Sequence, residues 1–277
     1  MTKRDRRRTP ATPRVAHASL KGEIEAKHFT EGEPARVTAP LADLLAAPGG
    51  ARDRQVLFGD RLTVVERHQG WAFVMAAKDG YCGWLAEAAL GPDAVPTHRI
   101  SGRATHCYPE PSLKSRAVGP LSYGATLTVT GESGKFVQTA EGWYVPRAHV
   151  APVAQLETDP VAVAELFLGA PYLWGGNSHE GIDCSGLVQA ALLACGQPCP
   201  GDSDQQRAEV GHEVDKAGPW QRGDLFFWPG HVAMAVDETC LIHANGFRAA
   251  VTHEGIEMCL ARIDAAGEGP LLAVKRL

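Results

Sequence analysis

Two successive stretches of the chain share one pattern of short apolar strands separated by glycine turns. The segment LFGDRLTVVERHQGWAFVMA aligns with LSYGATLTVTGESGKFVQTA, so that Gly59 matches Gly124. Three pieces of the first copy are typical of strands: RLTVVE (61–66), WAFVMA (71–76) and CGWLA (82–86). Short strands at intervals of about 8–12 residues, present twice, predict two small all-β barrels, one over 36–95 and one over 96–152.

The residues before the barrels have a different composition. Residues 1–35 are polar and contain several prolines, which indicates a partly extended arm on the surface. The basic cluster from Lys3 to Arg8 is typical of a solvated, mobile tail, and we assign it no function.

The last region, 153–277, combines helical and strand patterns. Asp159 and Pro160 form a helix-start signal, with Asp as the N-cap and Pro at the first helical position. A glycine-rich loop then leads into a second helix, from Asp183 to about Cys195. The pattern that follows is strand-like, in DLFFW, HVAMAV, TCLIHA, FRAAVT and LLAVKRL. Helices followed by an antiparallel sheet predict an α+β domain.

Charge and cysteine content exclude several classes of function. With 27 basic and 32 acidic residues the chain has no global charge that would favour nucleic acid or an anionic membrane, and no apolar run reaches the ~18 residues of a membrane span. No secretory signal is recognisable, so we expect a cytoplasmic protein whose seven cysteines are reduced. Cys195 and Cys199 are interpreted as packing thiols. Without HExxH, paired CxxC or a Walker loop, we expect no metal and no cofactor.

Cys184 stands where the glycine-rich loop becomes a helix. A cysteine at a helix N-terminus feels the helix dipole and the unpaired N–H groups, which favour the thiolate and can also bind an oxyanion. Asp183 would cap the helix, and Gly186, one turn further on, would leave room for a substrate. The alternative is that Cys184 only packs beneath the loop.

Two histidines are placed to serve such a nucleophile. His231 begins a strand after Pro-Gly, and His243 lies twelve residues later, near the end of the next strand. If the intervening loop contains an odd number of residues, for example 236–238, the two histidines face each other on one side of the sheet with Cβ atoms roughly 4.5–5.5 Å apart. An even number would place them on opposite sides. A thiolate needs a base, and the base needs an orienting partner.

These motifs resemble the NlpC-type bacterial cysteine peptidases, cell-wall relatives of papain. The resemblance rests on PYLWGGNSHEGIDCSGLV, RGDLFFW, HVAM and IHA, and covers roughly 155–277. It implies a papain-like fold with Cys184 as nucleophile, His231 as base and His243 as the third polar residue. Ala233 replaces the usual glycine after His-Val, which should not impair the base. The two β modules resemble bacterial Src-homology-3-like domains.

The arrangement is similar to the subgroup that hydrolyses the γ-D-glutamyl–diamino acid bond of peptidoglycan stem peptides. In that subgroup the aspartate before the nucleophile binds the free amine of L-alanine, which implies this role for Asp183. A tyrosine of the first barrel walls the substrate cleft; Tyr81 is the candidate, with Trp84 as a competitor and a core role open for both. Ser185 and Ser203 would contact the substrate, and Ser203 has the alternative role of a helix N-cap.

The resemblance predicts an enzyme that releases L-Ala-γ-D-Glu from small, trimmed murein peptides in the cytoplasm, with a monomer favoured. Three alternatives stay open: an endolysin that cuts intact wall, an inactive module that binds wall peptides, and an acyltransferase on the same scaffold.

Overall fold

The computed structural model describes residues 4–277, which form two compact units. The first ends at Ala154 and the second extends from Gln155 to Leu277. Among the described residues, no helix has the length and apolar character needed to cross a bilayer.

The N-terminal residues are attached to the first unit. A 3₁₀ turn, Arg6–Arg8, is capped by the Asp5 side chain, and the Arg6 guanidinium makes two hydrogen bonds to the Asp53 carboxylate, of 2.6 and 2.7 Å. Further along the arm, Ala16 is completely buried. The prediction of a solvated, mobile tail is therefore wrong for Arg6–Arg8, because the side chains of Asp5 and Asp53 bind this turn. Lys3 lies outside the described residues. The arm contains a second 3₁₀ turn and two short parallel strands: Ala18–Leu20, β1 (Val15–His17) and β2 (His28–Thr30).

A seven-stranded sheet follows the arm. Its strands are β3 (Glu33–Val37), β4 (Leu41–Leu45), β5 (Arg52–Leu57), β6 (Arg61–His68), β7 (Trp71–Ala76), β8 (Cys82–Ala86) and β9 (Leu90–Pro92), in the order β5-β4-β8-β7-β6-β3-β9. The three strands expected at 61–66, 71–76 and 82–86 are confirmed. Gln69 and Gly70, between β6 and β7, both have positive φ, as a tight hairpin turn with the right twist requires.

The second half of this unit consists of three small sheets. They contain β10 (His98–Ile100), β11 (Ala104–Cys107), β12 (Gly119–Ser122), β13 (Thr126–Leu127), β14 (Val129–Ser133), β15 (Phe136–Thr139), β16 (Tyr144–Pro146) and β17 (Val150–Pro152). Gly59 and Gly124, which the repeat aligns, have φ of +80° and +83°. Glycine adopts such angles readily because it has no Cβ atom, so both turns favour glycine. Phe58 of the first copy is fully buried in the same hydrophobic cluster as Leu121 and Leu127 of the second.

The second unit contains a six-stranded antiparallel sheet and four α-helices. The helices are α1 (Pro160–Glu165), α2 (Cys184–Ala194), α3 (Ser203–Glu209) and α4 (Ile256–Ala265). The sheet strands are β20 (His212–Val214), β21 (Leu225–Trp228), β22 (His231–Ala235), β23 (Cys240–Asn245), β24 (Ala250–Gly255) and β25 (Ala273–Arg276), in the order β20-β25-β21-β22-β23-β24. A small hairpin, β18 (Asn177–Ser178) and β19 (Gly181–Ile182), precedes α2.

The α+β assignment holds, but the predicted order of helices and then strands is wrong. The helix α4 lies between β24 and β25 and was not predicted. Its residues Ile256, Cys259 and Ile263 are buried at a spacing close to the helical repeat, and they pack on the sheet with Leu241. The helix α2 packs against β22 and β23.

Candidate active site

Asp183 connects the start of α2 to the glycine-rich loop. Its Oδ1 atom accepts hydrogen bonds from the Gly186 N–H (2.6 Å) and the Ser185 hydroxyl (3.0 Å). Its Oδ2 atom accepts one from the Gly175 N–H at 2.9 Å. The predicted N-cap is therefore confirmed, and it places Cys184, the first residue of the helix, among the unpaired N–H groups of the first turn.

Gly186 is required by the packing of the helix against the loop. A Cβ atom at Gly186 would lie 2.7 Å from the Gly176 carbonyl oxygen and closer still to Asn177 Oδ1. The loop thus fills the space beside Gly186, and the prediction that this glycine leaves room for a substrate is wrong. A Cβ atom at Gly176 would lie 2.5 Å from the Gly181 carbonyl oxygen, so close backbone approach also explains that glycine.

The sulfur of Cys184 lies against the backbone on both sides of His231. Its Sγ atom is 4.0 Å from the Gly230 carbonyl oxygen, and the N–H groups of Val232, Ser185 and Cys184 itself interact with it and lower its pKa. Amide N–H groups that converge on a nucleophile are also placed to stabilise the oxyanion that forms when it attacks a carbonyl.

Burial and the charge of Asp183 change the pKa of Cys184 more than these amide N–H groups do. Burial of Cys184, and secondly the Asp183 carboxylate, raise the pKa of the thiol to about 12. The N–H groups at the helix start thus lower the pKa of Cys184, as predicted, but burial and Asp183 raise it by more, so the helix terminus alone does not make Cys184 a thiolate. The thiol is neutral near pH 7, and a base must take its proton before it attacks.

The Pro229-Gly230 turn places His231 at the start of β22. This turn joins β21 to β22, with Trp228 paired to His231. Gly230 has a φ of +70°, which glycine adopts readily at the third position of a Pro-Gly turn. The Trp228 ring packs beside the imidazole, with 5.7 Å between the ring centroids.

His231 and His243 lie on one face of the sheet, the outcome predicted for an odd loop, but they are not directly opposite each other. Ala235 pairs with Leu241, so residues 236–240, an odd number, separate the paired positions. Continued along the strands, this register sets His231 opposite Asn245, and His243 is one diagonal step away. An imidazole spans a diagonal step: His231 Nε2 and His243 Nδ1 are 2.9 Å apart.

Two further charged residues, which the sequence analysis did not select, extend this pair. Glu254 Oε2 lies 3.1 Å from His243 Nε2, and Arg262 of α4 makes two hydrogen bonds of 2.8 Å to the Glu254 carboxylate. The His243 side chain has no exposed surface. Burial, followed by the charge of His243 and that of Arg262, lowers the pKa of His231, so its imidazole is neutral near pH 7 and able to accept a proton.

Tyr172 is a third residue near the site to which the sequence pattern assigned no role. Burial, and then the electrostatic influence of Cys184 and of Asp183, raise the pKa of its phenol, so the ring lies within electrostatic reach of both groups. Its N–H donates to the Ala249 carbonyl oxygen at 2.9 Å. The available signal was its position in PYLWGG, the motif on which the resemblance partly rests.

The other proposed substrate contacts differ in their placement. Ser185 is buried and donates its hydroxyl to Asp183, so it belongs to the helix start. Ser203 is the first residue of α3; the N-cap is Asp202, and the alternative role of Ser203 as N-cap is wrong. Substrate contact by Ser203 stays a prediction.

Tyr81 and Trp84 are core residues of the first unit. Tyr81 is 3% exposed and packs in the main cluster of the seven-stranded sheet, with the Arg54 guanidinium 5.2 Å from its ring centroid. Trp84 is 7% exposed and packs against Phe73. Burial supports the packing role for both, and a substrate contact by either stays a prediction.

One group of side chains has the composition of a metal site. Ligand atoms of His243, Glu254 and Cys259 lie within 4.8 Å of one another. However, Arg262 binds the Glu254 carboxylate and lies 3.7 Å from Cys259 Sγ. The guanidinium already supplies the positive charge, and a divalent cation here would meet strong repulsion.

Profiles of known protein families match one segment in each of the two units. The profile of the NlpC/P60 family matches residues 169–258, and that of the bacterial dipeptidyl-peptidase Sh3 domain matches 44–90. The first unit therefore contains an Sh3 domain.

Relatives of similar length extend the match to most of the chain. A γ-D-glutamyl-L-lysine dipeptidyl-peptidase of Bacillus subtilis (strain 168) is 31% identical in an alignment of 249 positions that covers 80% of this chain and 80% of that one. Dipeptidyl-peptidase 6 of Lysinibacillus sphaericus is 29% identical over 239 residues, 76% of this chain and 86% of that one. An NlpC/P60 family protein from Bacillus cereus ATCC 10987, known from a crystal structure, superposes with a TM-score of 0.73 at 22% identity, over 88% of this chain and 99% of that one, which shows a common fold.

Proposed function

Because the chain belongs to the NlpC/P60 family and is a cysteine peptidase of that family, we propose that it hydrolyses the γ-D-glutamyl–diamino acid bond of peptidoglycan stem peptides with a free N-terminal L-alanine. The product would be L-Ala-γ-D-Glu. The observation that carries the proposal is the placement of the Cys184 sulfur beside the backbone of His231, whose imidazole contacts His243 at 2.9 Å. The substrate class is supported by the names of the Bacillus and Lysinibacillus relatives.

The first half of the reaction forms a thioester. His231 Nδ1 takes the proton of the Cys184 thiol, and the sulfur attacks the γ-carbonyl carbon of D-glutamate. The N–H groups of Cys184, Ser185 and Val232 stabilise the oxyanion. The C–N bond breaks while His231 gives its proton to the leaving amine of the diamino acid.

The second half releases the dipeptide. Water gives a proton to His231, the resulting hydroxide attacks the thioester carbonyl carbon, and the C–S bond breaks. The proton returns from His231 to the sulfur. Throughout, His243 holds the imidazole of His231 in one orientation and one tautomer.

Asp183 is proposed to bind the free amine of L-alanine. Its carboxylate accepts hydrogen bonds from the N–H groups of Gly186 and Gly175 and from the Ser185 hydroxyl, which hold it in place next to Cys184. An ionised carboxylate at this position would attract the positively charged amine. Asp183 is only half-buried, so a ligand can reach it.

We further propose that the enzyme acts on trimmed peptides in the cytoplasm as a monomer, with two SH3-like barrels (36–95 and 96–152) before the peptidase domain (153–277). A need for a free amine excludes peptides still attached to glycan, which supports a role in recycling. The shared glycine turns at Gly59 and Gly124 support a repeated module.

The test compares L-Ala-γ-D-Glu-diaminopimelate, the corresponding L-lysine peptide and their N-acetylated forms. We expect cleavage of the free peptides, and a kcat/KM at least about a hundredfold lower for the acetylated ones. An acetylated amine carries no positive charge for the Asp183 carboxylate to bind. Equal cleavage of both forms would refute the amine-binding role. Cleavage of intact peptidoglycan would favour the endolysin alternative, and no cleavage at all the binding module. Cys184→Ala should abolish turnover, and a variant that retains it would refute the nucleophile assignment.

A further inference from the structure

The strand register places Glu254 beside His243. His243 pairs with Thr252 across β23 and β24, so Glu254, two residues further along β24, lies on the same face. Glu254 Oε2 is 3.1 Å from His243 Nε2. Because the Nδ1 atom of His243 is already in contact with His231, both nitrogens of the buried ring have a neighbour.

The Glu254 carboxylate is held ionised and in one orientation by α4. The guanidinium of Arg262 hydrogen-bonds both carboxylate oxygens at 2.8 Å, and this contact holds the pKa of Glu254 below its usual range. The guanidinium also packs over the Phe247 ring, with 4.8 Å between Arg262 Cζ and the ring centroid. A bidentate pair of this kind fixes both the position and the charge of the carboxylate.

A fixed carboxylate decides which nitrogen of His243 carries the proton. A neutral imidazole has one N–H and one lone pair, and an ionised carboxylate can only accept. Nε2 is buried and has no other polar partner among the residues that the structure describes, and a bare Nε2 would leave its lone pair 3.1 Å from a negative charge with no donor to satisfy it, so the proton of His243 belongs on Nε2. The Nδ1 atom of His243 then has the lone pair, and it can only accept from His231 Nε2.

The same constraint passes to His231. With its Nε2 proton donated to His243, His231 has its lone pair on Nδ1, which is the nitrogen left for the proton of Cys184. In the reversed arrangement, His243 would donate from Nδ1 and His231 would have a proton on its own Nδ1. That form of His231 cannot act as a base towards the thiol.

We propose that Glu254, held by Arg262, is a positioning residue that selects the tautomers of His243 and His231 and so keeps His231 able to accept the Cys184 proton. It acts through His243 and does not contact the substrate. The inference rests on the proposed function only for the identity of the substrate.

The pair of Glu254 and Arg262 supplies this acceptor without adding net charge to a buried site. A lone carboxylate would raise the pKa of the histidines, whereas the lone guanidinium would lower it. Cys259, the remaining titratable group of α4 in this cluster, stays neutral because burial raises the pKa of its thiol to about 12. The tautomer is therefore controlled by one charged acceptor whose own charge is balanced.

The test uses Glu254→Gln in the full chain, with Glu257→Gln as the matched control at an exposed position of α4. A glutamine can turn its NH₂ group towards His243 and allow the reversed tautomers. We expect kcat on the tripeptide to fall about 10- to 100-fold with KM changed less than about threefold, a smaller loss than the ~10⁴-fold of a residue that contacts the base directly. The control should match the unsubstituted chain.

Two measurements need no substrate. Nitrogen NMR of ¹⁵N-histidine-labelled protein should show Nε2–H on both histidines in the unsubstituted chain and a reversed or mixed population in Glu254→Gln. Alkylation of Cys184 by iodoacetamide, corrected with Cys184→Ala, should slow about 10- to 100-fold, since it needs the same proton transfer. If the tripeptide is not cleaved by the unsubstituted protein, the proposed function fails, and these two readouts still decide the present inference.

Two results would overturn the inference. One is Cys184 reactivity within about threefold of the unsubstituted chain in Glu254→Gln. The other is a loss of reactivity with unchanged tautomers, which would show that Glu254 serves packing alone. Glu254→Gln/Arg262→Met also removes the unbalanced cation, and it serves as the test if the single variant does not fold. It should stay impaired; full recovery would show that only net charge matters and would refute tautomer selection.

Discussion

Gly186→Ala tests whether the start of α2 is held by close packing against the glycine-rich loop. An added Cβ would lie 2.7 Å from the Gly176 carbonyl oxygen, where ordinary contacts begin near 3.4 Å, and it would meet Asn177 Oδ1 closer still. The loop or the helix must shift by about 0.7 Å or more, and overpacking of this kind costs about 1–3 kcal/mol. Alanine recovers up to about 1 kcal/mol of helix propensity, so the net destabilisation lies between about 0 and 3 kcal/mol, with about 1–2 kcal/mol as the central expectation.

Thermal unfolding followed by circular dichroism, together with peptidase activity, provides the assay. For a unit of this size the loss corresponds to about 3–8 °C in Tm. Peptidase activity should fall by a larger factor than the loss of folded protein explains, because Asp183 and Cys184 move with the helix start. The matched control is Gly246→Ala, at a glycine whose Cβ would meet no atom within 4 Å. If Gly186→Ala has the Tm and activity of the control, close packing against the loop does not position Cys184.

Two further predictions concern stability. Burial lowers the pKa of His243 to about 4, below the ~6.5 of an unfolded chain, so on acidification from pH 6.5 to 4 the unfolded state binds a proton that the folded state does not. The free energy of unfolding should therefore fall by about 1.4 kcal/mol per pH unit because of this residue. Urea unfolding at several pH values measures this dependence, and His243→Gln should reduce it by that amount. An unchanged dependence on pH in the variant would contradict the assignment. Asp53→Asn should release the Arg6 turn at a cost below about 1 kcal/mol and speed proteolysis of the N-terminal arm, and equal cleavage rates would show that this ion pair does not hold it.

Local features of the sequence determined where the elements of the site begin. Asp183 before Cys184 predicted the N-cap, because a carboxylate that accepts from the first-turn N–H groups is a short-range interaction. The Pro229-Gly230 pair predicted the turn that places His231, for the same reason. Strand periodicity also predicted that His231 and His243 share a face if the loop between their strands has an odd number of residues, since alternation depends only on whether their separation in register is even.

Only the tertiary structure decided what these residues meet. The β22–β23 loop comprises residues 236–240, two more than the loop of 236–238 that would set the histidines opposite each other. His243 is therefore diagonal to His231, and no short-range pattern specified the length of the loop. The pairing of Glu254 with His243 and Arg262 joins two strands and an unpredicted helix. The thiol pKa of Cys184 depends on how much solvent the folded chain removes, and burial outweighs the helix N-terminus, whose effect alone was predictable. The sequence alone thus determined where Cys184 and His231 lie in their elements. Burial determined the protonation of Cys184, and the contacts of β23, β24 and α4 determined the surroundings of the two histidines.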